Sequence, residues 1–364
     1  VKEHRHFGGA HGAELALCGL TAVNALGFSS EQTWAFRRAE LTGYGESPFR
    51  LPDGSRATMA FVPTLPPTSF GLARLLVLLD KTLTPLVERT ARAFGAGKRV
   101  GLALALPERM NGHHALRRFV GERQRLEALA YQRFAEHGLD IELNVQARGN
   151  AGGAAALLWA CLQVETNQLD AAIVGGLDSY YDPDVMDALM LDRRVFWAEQ
   201  LDAFIPGEAA SFALLARRSA LRALSLPPIC RVDSVSVGEE PCRMGLSVPC
   251  MGLGLSRTLM PLADRVRQER RRIEWILGDV TNEDYRTHEL QLAFPRFVRD
   301  ATPPEFPLEF LPMAMGDLGA GTVPTALAIA GEGLSRGDPA VKTCLVFASS
   351  AGEDRGGVLV SKLE

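Results

Sequence analysis

The chain has 364 residues, enough to bury the core of two ordinary domains or one large one. Its residues are 47 % hydrophobic and 23 % charged, an ordinary globular mix, and a formal net charge of −4 gives no electrostatic footprint for a nucleic-acid partner. No run of about 18 apolar residues exists, so no membrane span is expected; Val1 to Phe7 lack an apolar signal core, so a cytoplasmic protein is expected.

Apolar strand-like runs alternate with helical patterns. In chain order the patterns predict a strand at 14–20, a loop at 62–69, a helix over 72–93, a strand at 99–106 and a helix over 115–137. A strand at 141–145, a helix over 151–164 and a strand at 171–176 follow, then a seam near 193–206. Beyond it come a loop at 241–254, a helix over 255–271, a strand at 273–278, a loop at 301–312, a helix over 319–334 and a strand at 343–348. Such alternation predicts an α/β fold with largely buried sheets. The helices at 151–164 and 319–334 are rich in Gly and Ala and occupy corresponding places, so both suit a tightly packed centre. The basic run at 265–272 is broken by Gln268 and Glu269 and reads as a solvated helix face.

The six cysteines (Cys18, Cys161, Cys230, Cys242, Cys250 and Cys344) show no CxxC spacing and are expected to be reduced and partly buried. Cys242 and Cys250 lack a second ligand pair for zinc, so no metal and no cofactor is expected.

Four segments in order carry a family resemblance. Residues 17–27, LCGLTAVNALG, followed by Ser29-Ser30-Glu31-Gln32-Thr33-Trp34, are similar to an opening strand and an "s-x-E-x-T-W" helix start. Residues 147–158 run through Asn150 into the Ala-rich helix, and the Gly175-Gly176 pair follows in a strand. Phe204-Ile205-Pro206-Gly207-Glu208-Ala209-Ala210 is similar to "F-x-P-G-E-G-A", and Gly316-Asp317-Leu318-Gly319-Ala320-Gly321 to "G-H-x-x-G-A-A-G". Together they resemble the β-ketoacyl-[acyl-carrier-protein] synthase family. The resemblance implies a thiolase-like five-layered αβαβα fold of two pseudo-symmetric halves, here residues 1–200 and 201–364.

It also implies which groups would do chemistry. A condensing enzyme of the family uses a Cys at a helix N-terminus, where the dipole favours thiolate, and two His that assist decarboxylation and stabilise the charge on the thioester oxygen. By the family's spacing from Gly175 the Cys position falls on Asn150, an amide that reads more naturally as a helix N-cap. The first His position falls at Gly278 or Asp279, before Val280-Thr281-Asn282, with Glu289 resembling the family's downstream Glu. The second falls on Asp317, which also reads as an N-cap. Residues 349–357 stand where a "G-F-G-G-x-N" loop would supply a gating Phe. Substitutes are few. Cys161 lies eleven residues beyond Asn150, about 16 Å along a helix axis from its N-terminus, and reads as core. His288 reads as a helix-surface residue, and His113-His114 as an exposed loop.

The leading expectation is therefore a synthase-like protein that has lost condensation and acts by binding. It would be a homodimer, or the inactive partner in a heterodimer with another thiolase-fold subunit. The strand at 139–145 matches the place where the family dimerises. By analogy alone, an adaptor in a bacterial secretion or biosynthetic cluster is a further form of this reading. The alternative is a divergent acyltransferase or malonyl decarboxylase acting on acyl-carrier-protein or coenzyme A thioesters, with Asn150 in an oxyanion site and Asp279 or Asp317 as base. An acyl-binding or carrier-protein-docking protein lies between the two.

Overall fold

The computed structural model describes residues 5–8, 15–95, 97–111 and 117–363. The first strands are β1 (Arg5–Gly8) and β2 (Leu15–Asn24). Helix α1 (Ser30–Arg38) starts where the Ser29 side chain accepts from the Gln32 N–H and the Gln32 amide oxygen accepts from the Phe28 N–H at 3.0 Å, a reciprocal cap. The hairpin β3 (Tyr44–Arg50) and β4 (Arg56–Ala60), α2 (Gly71–Phe94), β5 (Val100–Leu106) and α3 (Arg117–Glu136) follow. Next come β6 (Ile141–Ala147), α4 (Gly152–Glu165), β7 (Ala171–Ser179), α5 (Pro183–Leu191), β8 (Glu208–Arg217) and α6 (Arg218–Ala223). The last part holds β9 (Cys230–Glu239), α7 (Leu253–Gln268), β10 (Trp275–Gly278), α8 (Asp284–Val298), β11 (Leu308–Phe310) and α9 (Pro312–Met315). It closes with α10 (Thr322–Arg336), β12 (Thr343–Ser349) and β13 (Asp354–Ser361).

The strand order reads β11-β10-β12-β13-β9-β2-β8-β7-β5-β6. Taken from each end, both strand sets have the same order: third, second, fourth, fifth, first. In each set the fifth strand, β8 or β13, runs antiparallel to its neighbours. Among the described residues the sets join through two residue pairs of β2 and β9, Ala16 with Arg231 and Leu17 with Cys230, and β1 pairs antiparallel with β9 beyond them.

Period-two alternation divides the core. Along β7, Ala171 and Ile173 pack with α2 and α3, whereas Ala172 and Val174 face α4 and α10. Likewise Leu345 and Phe347 of β12 face α7 and α8, and Cys344 and Val346 face the central helices. The result is five layers: α2 and α3, the first strand set, α4 and α10, the second strand set, α7 and α8. The inner strands β5, β7, β10 and β12 are buried on both faces, which is why they read as continuous apolar runs.

The predicted elements are found, mostly with small shifts. The loop expected at 301–312 instead contains β11, which is too short to show a period. Helix α7 stops at Gln268, where Arg270 adopts φ +53°. The basic run is therefore not one helix face: Arg271 lies past the helix end and bridges Asp233 and Glu269. His113 and His114 lie outside the described residues. Among the described residues no helix is long and apolar enough to cross a membrane.

Candidate functional site

Two matching turns build the site. Gly149 at φ +60° opens a 3₁₀ turn, residues 149–151, that runs into α4; Gly319 at φ +50° opens another, residues 319–321, that runs into α10. Both glycines sit in the left-handed region where a side chain is strained. At Gly319 a Cβ would also stand 2.0 Å from Asp178 Oδ2. The two turns pack on each other, so two helix N-termini, with their unsatisfied N–H groups and partial positive charge, meet at one interior place.

The chain fills that place with its own acceptors. The Ser350 hydroxyl accepts from the Ala151 N–H at 3.0 Å, and Asp178 accepts from the Ala320 N–H at 3.2 Å. Asp317 Oδ1 accepts from the Gly319 N–H at 2.7 Å and from the Asn150 amide at 3.0 Å. The Asn150 amide also reaches Thr322 Oγ1 at 3.4 Å. Asn150 is thus not the N-cap expected from sequence: its side chain donates across to the head of α10 rather than accepting at the head of α4. Asp317 does cap, but it caps the 3₁₀ turn ahead of α10.

One cation ties the acidic groups together. Arg286, on α8 with 3 % of its side chain exposed, bonds Asp279 at 2.8 Å, Glu283 at 3.2 Å and Asp317 at 3.4 Å, and donates to the Ser349 carbonyl. Burial works against the Arg286 charge, but Asp279, Asp317 and Glu283 outweigh it and hold the guanidinium above its ordinary pKa. Burial pushes the Asp279 carboxyl up to about 6, opposed by Arg286 and the Ser349 N–H and aided by Asp317 and Glu289. Burial raises Glu283 too, yet Arg286 and Arg194 reverse the sign and leave it below the ordinary range. Tyr180 places its hydroxyl 3.4 Å from Asp317 and is held protonated by burial, then by Asp317 and Asp178. Asp178 is raised by burial and restrained by Arg109, 2.8 Å away.

A second buried pair continues the network. Arg355 bonds Glu289 at 2.7 Å and the Tyr285 hydroxyl at 2.8 Å, and the Ser349 hydroxyl donates to Glu289 at 2.8 Å. Glu240, Cys250 and Glu289 bring possible ligand atoms within 4.8 Å of one another. Their donors are already engaged: Glu240 accepts from the Gly254 N–H, Cys250 from the Gly252 N–H, and Glu289 holds Arg355. Cys242 is not part of this group.

Sequence reasoning named Asn150, Gly278, Asp279 and Asp317. The structure joins Asn150, Asp317 and Asp279 through Arg286. Gly278 ends β10 with the Phe347 ring so close that a Cβ would meet it at 2.5 Å. His288 is exposed, and Cys161 is fully buried with its thiol raised far above the usual range by burial. Sequence reasoning missed Arg286, Tyr180 and Arg194. A cleft of about 820 Å³ is lined by Arg194, Glu283, Tyr285 and Ala351, among others; Asn150, Asp279 and Asp317 do not line it. The contact chain from cleft to interior runs Glu283, Arg286, Asp317, Asn150.

No family model matches the sequence, and no curated protein matches it. Solved structures do match: the fold is the thiolase-like fold of ketosynthases. A chain of the AntDE:AntF complex, a type II polyketide-synthase acyl-carrier protein with its ketosynthase, superposes with TM-score 0.77 at 12 % identity, covering 97 % of this chain and 100 % of that one. The ketosynthase from module 6 of the bacillaene synthase of Bacillus subtilis 168 gives 0.72 at 12 %, covering 96 % and 72 %. The ishigamide ketosynthase/chain length factor gives 0.68 at 15 %, covering 96 % and 100 %.

Proposed function

We propose that this chain is a ketosynthase-like protein that does not condense acyl groups and acts by binding. Its partner is a thiolase-fold subunit, its own copy or another, with an acyl-carrier protein as a further candidate. The observation that carries the reading is the carboxylate of Asp317. It occupies the junction of two helix N-termini, where the family resemblance puts the thiolate and the developing oxyanion, and it is held there by Asn150, Gly319 and Arg286. An anion already seated in an anion-stabilising place leaves no stabilisation for a second one. Asn150 offers no nucleophile, and Gly278, Asp279 and Asp317 offer no imidazole.

Two solved relatives of the fold support the partner class by what their names state: one is a ketosynthase with an acyl-carrier protein, the other a ketosynthase/chain length factor. In this reading the chain divides into two halves. The halves are those at residues 1–200 and 201–364, and the pairing of β8 with β2 and β7 of the first strand set supports a boundary a little later, after β8. A cytoplasmic setting is part of the proposal, and six free thiols suit a reducing compartment.

The rival reading, an acyltransferase or malonyl decarboxylase, draws on Asp279, whose pKa of about 6 suits a base. Against it, Asp279 Oδ2 is engaged by both Arg286 and the Ser349 N–H. The test is intact-protein mass spectrometry with malonyl- and acyl-thioesters, with thioester consumption followed in parallel. No adduct and no turnover are expected. Turnover that vanishes in Asn150→Ala or Asp317→Ala would overturn the reading.

A further inference from the structure

Residues 241–253, PCRMGLSVPCMGL, leave the end of β9 and return at the first turn of α7. The two ends touch: a Cβ on Gly254 would stand 2.5 Å from Glu240 Cα. The Glu240 carboxylate clasps both, accepting from the Cys242 N–H at 3.3 Å and from the Gly254 N–H at 2.6 Å. Tyr285 donates to the Cys242 carbonyl at 2.8 Å, and Arg296 donates to the Met251 carbonyl at 2.7 Å. A loop of this length with touching, pinned ends is an Ω-loop, a compact surface element that often carries function.

The base is pinned and the tip is bare. Leu246, Val248, Met251 and Leu253 are 38–57 % exposed, and no other stretch of similar length among the described residues exposes as many large apolar side chains. Leu253, Arg257 and Met260, all exposed, extend the strip along one face of α7 at helical spacing. The charges within the strip are positive: residues 241–263 hold Arg243 and Arg257, both exposed, and no Asp or Glu. Acids at the loop base are set apart from the tip, since Glu240 is buried there and Glu353 meets it through its backbone carbonyl.

We propose that this loop docks the chain reversibly on an anionic lipid surface, with Leu246, Val248 and Met251 entering the acyl boundary and Arg243 and Arg257 at the level of the headgroups. Exposed apolar clusters mark protein or membrane contacts. Shape favours the membrane here. The apolar side chains stand on the loop and do not line the cleft of about 820 Å³, to which the loop gives Met244 and Gly245. A lipid surface needs no matched groove; it takes apolar side chains at one depth with cations beside them. Neither signal is strong alone, so binding depends on both and weakens with salt. Docking by this loop sets the cleft, which shares Met244 and Gly245, beside the lipid surface. The inference goes beyond the partner reading above and does not depend on it.

The test is co-sedimentation of the full chain with vesicles. The wild type should pellet with vesicles of phosphatidylglycerol and phosphatidylcholine in equal parts, release as ionic strength rises, and stay in solution with phosphatidylcholine alone. The double variant Leu246→Asp, Val248→Asp should bind about tenfold more weakly or less and melt as the wild type does, because both side chains are exposed. Arg243→Glu with Arg257→Glu should weaken binding and flatten its salt dependence. Tyr131→Asp, at an exposed site on α3 in the opposite outer layer, should bind as the wild type does. Val248→Trp should shift its emission to the blue on the anionic vesicles, relative to the wild type. A wild type that stays in solution with anionic vesicles, or loop variants that pellet unchanged, overturn the proposal. So does a chain that ignores vesicles yet binds a Glu-rich amphipathic peptide and loses it in the same variants, which would assign the strip to a protein partner.

Discussion

Replacing Arg286 by Met keeps an unbranched chain in the same space and deletes the charge. Glu283 retains Arg194 at 2.8 Å, but Asp279 and Asp317 lose the cation that bonds both of them. Removing one partner of a buried ion pair costs about 3–5 kcal/mol, because the other charge stays behind in dry protein. Unfolding entropy is about 2.1 cal/mol/K per residue, so a 364-residue chain should melt about 4–7 °C lower. The pH dependence is the sharper readout. Without Arg286 the Asp279 carboxyl, which burial already raises, loses the cation that lowers it. Its protonated form then stabilises the fold at low pH, and that stabilisation is lost as pH rises. The gap between wild type and variant should therefore be widest near pH 7 and close toward pH 4. Differential scanning calorimetry across that range measures it. A variant within about 1 kcal/mol of wild type at pH 7, or a gap that does not change with pH, would refute the central role given to Arg286.

Asp279 in the wild type should titrate near pH 6, readable as a carboxyl carbon shift in labelled protein. Its folded pKa lies above the unfolded value of about 3.8. Its stabilising effect is thus full below that value and is lost as pH rises through about 6, by an amount on the order of 3 kcal/mol. Gly153→Ala should destabilise by about 1–3 kcal/mol in chemical denaturation, because the new Cβ would meet Pro324 Cδ at 2.6 Å and Val323 Cβ at 2.8 Å where α4 crosses α10. Asn150→Cys should not restore condensation: the thiol would sit beside the Asp317 carboxylate, which favours the neutral form, so alkylation at pH 7 should be slow and malonyl-thioester consumption absent. Fast alkylation would show that the junction is less negative than its contacts imply.

The layers were legible because the inner strands of both sets are buried on both faces and the central helices are rich in Gly and Ala. Short or glycine-bearing strands were not. β11 is three residues, and β13 carries Gly356 and Gly357, at the end of the stretch 349–357 that was set against the family's closing loop. Those glycines are there for packing: a Cβ on Gly356 would stand 2.6 Å from Ala154 Cβ, and one on Gly357 would stand 2.7 Å from Leu259 Cδ2. At the site, Asn150, Asp279 and Asp317 were found from family spacing, not from any local signal. Arg286 was missed because Asp284-Tyr285-Arg286-Thr287-His288 looks like an ordinary exposed helix start. Only the number of buried acids gave a hint: three carboxylates set in an apolar frame require a cation, and sequence alone does not say which arginine supplies it. Asn150 was misassigned as a helix cap because its true acceptor, Asp317, lies 167 residues further on.

The narrow seam between the strand sets has a consequence for how the molecule comes apart. Among the described residues two pairs join β2 to β9 and four join β1 to β9, while α4 packs against β9 and β13 and α10 packs against β2 and β8. Each strand set therefore lends its central helix to the other. A break in the stretch 224–229, between α6 and β9, would yield two polypeptides that each lack half of the middle layer. We expect neither to fold alone and the two to reassemble when mixed, so that a chain with a repeated topology melts in one step rather than two.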